Sequence, residues 1–421
     1  MAASGREHRH SICRIQLPPD RLPHSEVDLS ASNSGRADGA CRYGLADLHV
    51  TAARKLSVPL QSGRRHPRAR IGNAVAPRDG RERKTVEGAG QRRSGPRMKA
   101  AVYTRYGPPD VVQITDVEKP VPKDKEVLIR VRAASVNPLD WHLMRGTPYI
   151  VRLGAGLRRP KITRLGVDLA GQVEAVGRNV TQCKPGDEVF GACRGACAEY
   201  VCAVEGKLVP KPANVSFEDA AAVPVAALSA LQGLRDKGRI QRGHEVLVDG
   251  ASGGVGTFAV QIAKSFDAEV TAVCSMRNVE TARSIGADHV IDYTREDFTR
   301  NGQRYDLILA ANAYHSIFDY RRALSQDGTY VMVGGGGIQI LQALLLGPLL
   351  SLIGSRKMGF VSAKINKKDL VFLKDLLEAG KVVPVIDKRY ALSDVAEALR
   401  YLEEGHAQGK VVLTVGHSND A

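Results

Sequence analysis

The stretch HEVLVDGASGGVGTFAVQIAKSF carries the residues of this 421-residue chain best placed to do chemistry. A glycine turn at Gly250–Gly254 lets backbone approach a ligand closely, and a helix starting there offers unpaired N–H groups to an anion such as a pyrophosphate. A glycine pattern alone is weak evidence. Here it lies between an expected strand, Glu245–Asp249, and a helix carrying Val255, Ala259, Ile262 and Ala263, which is the context a dinucleotide site requires. About twenty residues on, where a ribose hydroxyl would meet Asp or Glu, the chain has Cys274-Ser275-Met276-Arg277-Asn278. No carboxylate there repels a 2′-phosphate, and Arg277 can give one charge-assisted hydrogen bonds. Ser275 and Arg277 therefore favour NADPH over NADH, the plain alternative being an arginine merely exposed on a loop.

Seven cysteines, at 13, 41, 183, 193, 197, 202 and 274, are odd in number and scattered, which reads as reduced thiols. Cys193, Cys197 and Cys202 lack the paired C-x-x-C of a structural zinc site, and Ala198–Ala203 reads as a strand, so no metal is expected there.

The elements around these residues fall into two kinds. Val127, Ile129 and Val131 alternate on one face of a strand, and further strands are expected at Gly171–Val176, Glu188–Phe190, Tyr200–Val204 and Lys207–Pro210, with a turn at Lys184-Pro185-Gly186-Asp187. Short strands with Gly/Pro punctuation predict a β-rich, barrel-like domain. At Ser216 the period changes to that of a capped, Ala-rich helix reaching about Gly233. Beyond it, Glu245–Asp249, Ala268–Cys274, His289–Tyr293, Asp306–Ala311 and Thr329–Gly334 predict five strands of a doubly wound parallel sheet. The charge-free Ile338–Ile353 is expected as a helix interrupted near Pro348, at a substrate entrance, dimer seam or membrane surface, with simple burial as the alternative.

Charge is uneven. Of the net +15, residues 1–97 hold +10, with Tyr43 as their one aromatic residue and no sustained period. They read as a disordered basic leader. Nine acidic residues argue against a targeting peptide, and the lack of a charged face or interleaved aromatics argues against a nucleic-acid arm. The preferred reading is a start upstream of a functional chain that begins at Met98.

The segments GDEVFG, VPVAALSALQGL and ASGGVG, in that order, resemble the medium-chain dehydrogenase/reductase superfamily. ASVNPLDWHLMRG, VCSMRNVETARSIGADHVIDY and EEGHAQGKVVL resemble its zinc-free quinone oxidoreductase group, the zeta-crystallin-like reductases. The resemblance covers Met98 to about Val415. It implies an α/β chain with a GroES-like β-rich catalytic domain (98–221), a Rossmann NADPH-binding domain (222–363) and a return to the first domain (364–421). Helix Lys367–Ala379, strand Val382–Ile386, helix Asp394–Glu404 and strand Lys410–Val415 would make that return. It implies Asn137 and Ser229 near nicotinamide or substrate, Ser252, Gly253, Gly254 and Val255 at the pyrophosphate, Tyr293 beside the 2′-phosphate, and Asn312, Val333 and Gly334 at the nicotinamide end. Where zinc-dependent relatives carry Cys and Gly-His-Glu, this chain has Asn137 and Gly166-Val167-Asp168, so the implied chemistry is metal-free. His142 stands where many quinone reductases carry Tyr, leaving it as a hydrogen-bonding or proton-donating candidate. The implied activity is NADPH-dependent hydride transfer to a quinone or α,β-unsaturated carbonyl, in a cytoplasmic homodimer. Against it stand a noncatalytic NADPH-binding structural or RNA-associating protein, with nucleic acid not favoured, and a reductase in peripheral membrane contact through Ile338–Ile353.

Overall fold

The computed structural model describes residues 95–149 and 151–417. The reading of a disordered leader falls on residues that, up to 94, lie outside that range.

Two large sheets organise the described chain. The first is antiparallel for most of its width and runs in the order Ile386–Ala391, Lys410–Thr414, Glu126–Val136, Asp168–Val176, Glu188–Ala192, Leu208–Pro210, with Tyr200–Val204 also on Glu126–Val136. Its central strand buries Val127, Ile129 and Val131 completely, as expected, but Leu128 and all of 133–136 are buried too, because this strand is covered on both faces rather than half-exposed. The register of its middle three strands sets up the site: Val411 lies opposite Val136, and Ser135 opposite Asp168.

The second sheet is wholly parallel, in the order His289–Asp292, Glu269–Cys274, Glu245–Asp249, Tyr305–Ala310, Leu324–Met332, Lys357–Phe360. The order reverses at Glu245–Asp249, and open α/β sheets bind ligands beyond the strand ends at such a switch point. The sequence reading predicts five strands, but there are six among the described residues. Lys357–Phe360 is four residues long and lacks β-branched residues, so only its pairing with Leu324–Met332 reveals it.

Three further expectations are corrected. The run from Ser216 to Gly233 is not one helix. Ser216 caps Phe217–Ala222 through Asp219 N–H, Pro224 opens a second helix to Leu231, and a π-helical turn follows at Gln232–Lys237. The strand expected at Val382–Ile386 lies instead at Ile386–Ala391, because the Gln261 side-chain amide takes both backbone groups of Val383 and leaves none for a ladder. The helix expected to break near Pro348 is continuous from Gly337 to Leu352. Proline removes one helical bond, and tertiary anchoring compensates: Ser351 Oγ donates to Gly347 O (2.8 Å) and accepts from Met358 N–H (2.8 Å) on the neighbouring strand. Nor is this helix buried. Ala343 and Gly347 face the sheet, while Ile338, Leu341, Leu345, Leu349 and Leu352 form an exposed stripe. No helix among the described residues is long and apolar enough to cross a membrane.

Candidate active site

A cavity of about 520 Å³ opens between the two sheets. Its nucleotide wall is the expected glycine turn. Gly250 adopts φ +79°, and a Cβ there would come within 2.8 Å of Asn312 Cβ. At Gly256 a Cβ would lie 2.1 Å from Gly250 O, so the helix Gly254–Ser265 can start against the turn only because that position has no side chain. No side chain caps this helix, which leaves its first N–H groups for an anion, and Ser252, Gly253, Gly254 and Val255 all line the cavity. Ser275, Arg277 and Tyr293 line the far end, and Arg277 is tethered only at 3.4 Å to His406 O, so its guanidinium remains available. Asn278 Oδ1, buried at this wall, has no hydrogen-bond partner among the described residues. An uncapped helix start, a glycine cradle and a carboxylate-free strand end with an arginine fit a phosphorylated dinucleotide.

Asp249 is the last strand residue before the turn and is buried beneath it. Tyr320 Oη donates to its carboxylate at 2.5 Å, but burial without a cation pushes the carboxyl up to about 7 and the Tyr320 phenol well above its ordinary range.

The opposite wall is built from side chains. Asn137, 2% exposed, ends the central strand and precedes helix Pro138–Arg145. Its Nδ2 donates to Asp168 Oδ2 at 2.9 Å, and its Oδ1 accepts from Lys410 Nζ at 2.6 Å. Asp168, wholly buried, also accepts from Ser135 Oγ (2.9 Å) and from Val225 N–H (3.0 Å) at the start of helix Pro224–Leu231. Lys410 Nζ lies 3.7 Å from Asp168, both side chains almost fully enclosed. Burial pushes the Asp168 carboxyl up, while the Lys410 ammonium and three hydrogen-bond donors favour its carboxylate form. Burial likewise lowers the Lys410 ammonium, while Asp168 and Asp140 hold it up. Asp140, accepting from Asn137 N–H at 2.8 Å, is pushed by burial up to about 7.

The comparisons with known proteins agree with this geometry. Residues 123–213 match the alcohol dehydrogenase GroES-like domain and residues 285–413 match the zinc-binding dehydrogenase domain. A 2-methylene-furan-3-one reductase of Solanum lycopersicum is 37% identical over 75% of this chain and 79% of its own length. A chloroplastic NADPH-dependent alkenal/one oxidoreductase of Arabidopsis thaliana is 33% identical over 75% of this chain and 79% of its own. The solved quinone oxidoreductase of Coxiella burnetii superposes with a TM-score of 0.67 at 29% identity, covering 76% of this chain and all of that one. The chain belongs to the medium-chain dehydrogenase/reductase superfamily. Within that superfamily it falls in the quinone oxidoreductase-like group, with the two-domain α/β fold of GroES-like and Rossmann parts.

Not every residue drawn from the superfamily motifs reaches the cavity. Asn137, Ser252, Gly253, Gly254, Val255, Ser275, Arg277, Tyr293 and Asn312 line it. His142 does not. Its ring stacks on Trp141 with centroids 3.8 Å apart, and its Nδ1 is bonded to Thr147 O at 2.7 Å, because five residues along a helix from Asn137 it points away from that side chain's face. Ser229 donates to Val225 O at 2.7 Å within its own helix, so its hydroxyl is spent on the backbone. Val333 and Gly334 sit behind Ala310, taking its carbonyl through their N–H groups, and line no part of the cavity. Conversely, Asp249, Tyr314, His406 and Lys410 line the cavity and were not singled out from sequence. Lys410 lies within EEGHAQGKVVL, but nothing local distinguishes it from a strand lysine pointing to solvent.

At the positions of the zinc ligands, Val167 offers no donor atom and the Asn137 amide is engaged on both ends. Cys197 is buried and Cys193 half-buried, and desolvation pushes the Cys193 thiol up to about 12 and the Cys197 thiol well above its ordinary value, away from the thiolate a metal needs. Among the described residues no three His, Cys, Asp or Glu cluster as a metal site.

Proposed function

We propose that this protein is an NADPH-dependent reductase that transfers a hydride to a quinone or an α,β-unsaturated carbonyl without zinc. The observation carrying this reading is a dinucleotide cradle facing, across one cavity, an amide held by Lys410 and Asp168, with apolar Val136, Ala226, Leu402 and Val411 also lining that cavity. The names of the relatives, a 2-methylene-furan-3-one reductase, an alkenal/one oxidoreductase and a quinone oxidoreductase, point the same way.

NADPH, when bound, supplies the hydride. The chain's own residues position and exclude water. Gly250–Val255 anchor the phosphates, Arg277 and Tyr293 take the 2′-phosphate, and the apolar residues keep the reacting rings face to face in a water-poor cleft. Hydride addition to the β-carbon of an enone shifts the π pair onto a delocalised enolate, or in a quinone onto an aromatising ring. Charge so spread requires a modest donor, and the Asn137 amide that donates to Asp168 lines the cavity, with the Asp140 carboxyl as the competing acceptor for its second Nδ2–H. Reduction of a saturated ketone concentrates the charge on one oxygen and calls for a stronger electrophile. NADPH oxidation with a panel of quinones, enals, enones and saturated ketones, with and without EDTA, tests the reading. Quinone or enone turnover that survives EDTA is expected; strict zinc dependence, or turnover of saturated ketones alone, overturns it.

The domain limits 98–221, 222–363 and 364–421 follow the same family reading, and limited proteolysis tests them. We read the assembly as a homodimer joined through the cofactor-binding sheet, supported by the exposed stripe Ile338–Leu352 beside the sheet-edge strand Lys357–Phe360. Peripheral membrane contact through Ile338–Ile353 is the competing use of that stripe. Sedimentation and liposome flotation separate the two. Cytoplasmic residence is supported by the five free thiols among the described residues, and imaging of the tagged full chain tests it.

A further inference from the structure

We propose that Lys410 is a positioning residue, orienting the Asn137 amide so that its remaining N–H meets the oxygen on which negative charge develops. The proposal rests on the reductase reading and extends it to a residue of the returning strand.

Three observations carry it. First, the amide is held without ambiguity: an ammonium can only donate and a carboxylate can only accept, so Lys410 fixes Oδ1 and Asp168 fixes Nδ2. Of the two Nδ2–H groups one is thereby committed to Asp168, and the direction of the other is set, with Asp140 as the protein acceptor that an incoming oxygen must displace. Second, Lys410 reaches both walls. A Cβ placed on Gly254 would lie 3.0 Å from Lys410 Cδ, so the lysine stem runs against the glycine turn while its ammonium lies at Asn137. One side chain thus sets the spacing between the phosphate cradle and the amide. Third, the charge is expensive. Lys410 is 3% exposed, and a buried ion pair is in general no more stabilising than well-packed apolar residues, so stability alone does not account for it. Asp168 has Ser135, Asn137 and the N-terminus of helix Pro224–Leu231 to hold its charge, which leaves the ammonium directed chiefly at the amide oxygen. Withdrawing density there strengthens the amide N–H as a donor.

The test compares full-length wild type, Lys410→Met, Lys410→Arg and the charge-balanced double variant Lys410→Met/Asp168→Asn. Melting temperature, NADPH dissociation constant, and kcat and KM with 2-cyclohexenone and 1,4-benzoquinone are measured for each. Met keeps the stem against Gly254, so NADPH affinity should change less than about threefold, while kcat falls about 100-fold, the scale of a lost transition-state donor. Lys410→Arg should recover part of kcat. The double variant should regain the wild-type melting temperature but not kcat. If it regains both, Lys410 only neutralises Asp168 and the proposal is overturned; if Lys410→Met alone fails to fold, the double variant decides. A folded Lys410→Met or double variant with wild-type kcat also overturns it. Wild-type protein that binds NADPH yet reduces neither these acceptors nor any other quinone or enone refutes the reductase reading, and this proposal with it.

Discussion

The nucleotide wall of the cavity is made of consecutive backbone, Gly250–Val255, whereas the wall opposite presents the side chains of Asn137 and Lys410 with Asp168 buried behind them, the three brought together by neighbouring strands. Backbone recognition asks for a tight turn and room, and tolerates little added volume. Side-chain recognition asks for charge balance, since two carboxyl groups and a lysine amine are enclosed within a few ångströms of one amide. The first wall fails by steric intrusion, the second by leaving a charge alone.

That contrast can be broken most forcefully at Asp168. Asp168→Leu leaves Lys410 buried without its counter-charge and strips partners from Ser135, Asn137 and Val225, so urea denaturation should report a loss of about 3–5 kcal/mol. A loss below about 1 kcal/mol would mean that the charges do not hold this wall.

A pH titration of stability apportions buried carboxyls between the walls. Asp140 on one side and Asp249 on the other both rise to about 7 from an ordinary 3.8. The folded chain therefore keeps protons that the unfolded chain releases. The contribution is fully present below the unfolded value and is lost as pH climbs to about 7, with a slope of up to about 1.4 kcal/mol per pH unit from each group. Asp249→Asn should remove the nucleotide-wall share and Asp140→Asn the other. A flat profile in wild type contradicts both.

Cofactor choice comes next. Equilibrium binding should favour NADPH over NADH by roughly 2–4 kcal/mol, and Arg277→Ala should reduce that margin by roughly 1.5–3 kcal/mol. Equal affinities in wild type would remove the assignment.

At Gly256 the added methyl of Ala would strike backbone rather than a flexible side chain, so Gly256→Ala should cost about 1–3 kcal/mol and weaken NADPH binding while leaving the Asn137 cluster intact. Unchanged NADPH binding would show that the turn has slack. The smallest effect is expected at His142, which stands outside the cavity: His142→Ala should leave kcat within about twofold, in contrast to a transition-state donor, whose loss costs about 100-fold or more. A large loss would return it to the chemistry.

Local information carried the nucleotide wall. A strand, a glycine turn, a helix and a strand end without a carboxylate are read over about thirty residues, because each demands particular residue types wherever the rest of the chain goes. Alternation and turn residues likewise exposed most of both sheets, apart from the short strand Lys357–Phe360 and the displaced strand Ile386–Ala391. The other wall was invisible in that sense. Asn137 could be named from a motif, but whether His142, five residues on, joins it depends on where one helix turns its face, and what holds Asn137 depends on sheet register. Val136 opposite Val411 places Asn137 beside Lys410, 273 residues away, and Ser135 opposite Asp168 brings in the carboxylate. A shift of one residue in either pairing would turn these side chains to the other face. The sequence by itself determined the cradle and the two kinds of sheet, because turns and periodicity are properties of neighbouring residues. Only the tertiary structure decided which charges meet around Asn137, because a buried ion cluster exists only where distant strands bring its members within a few ångströms of one another.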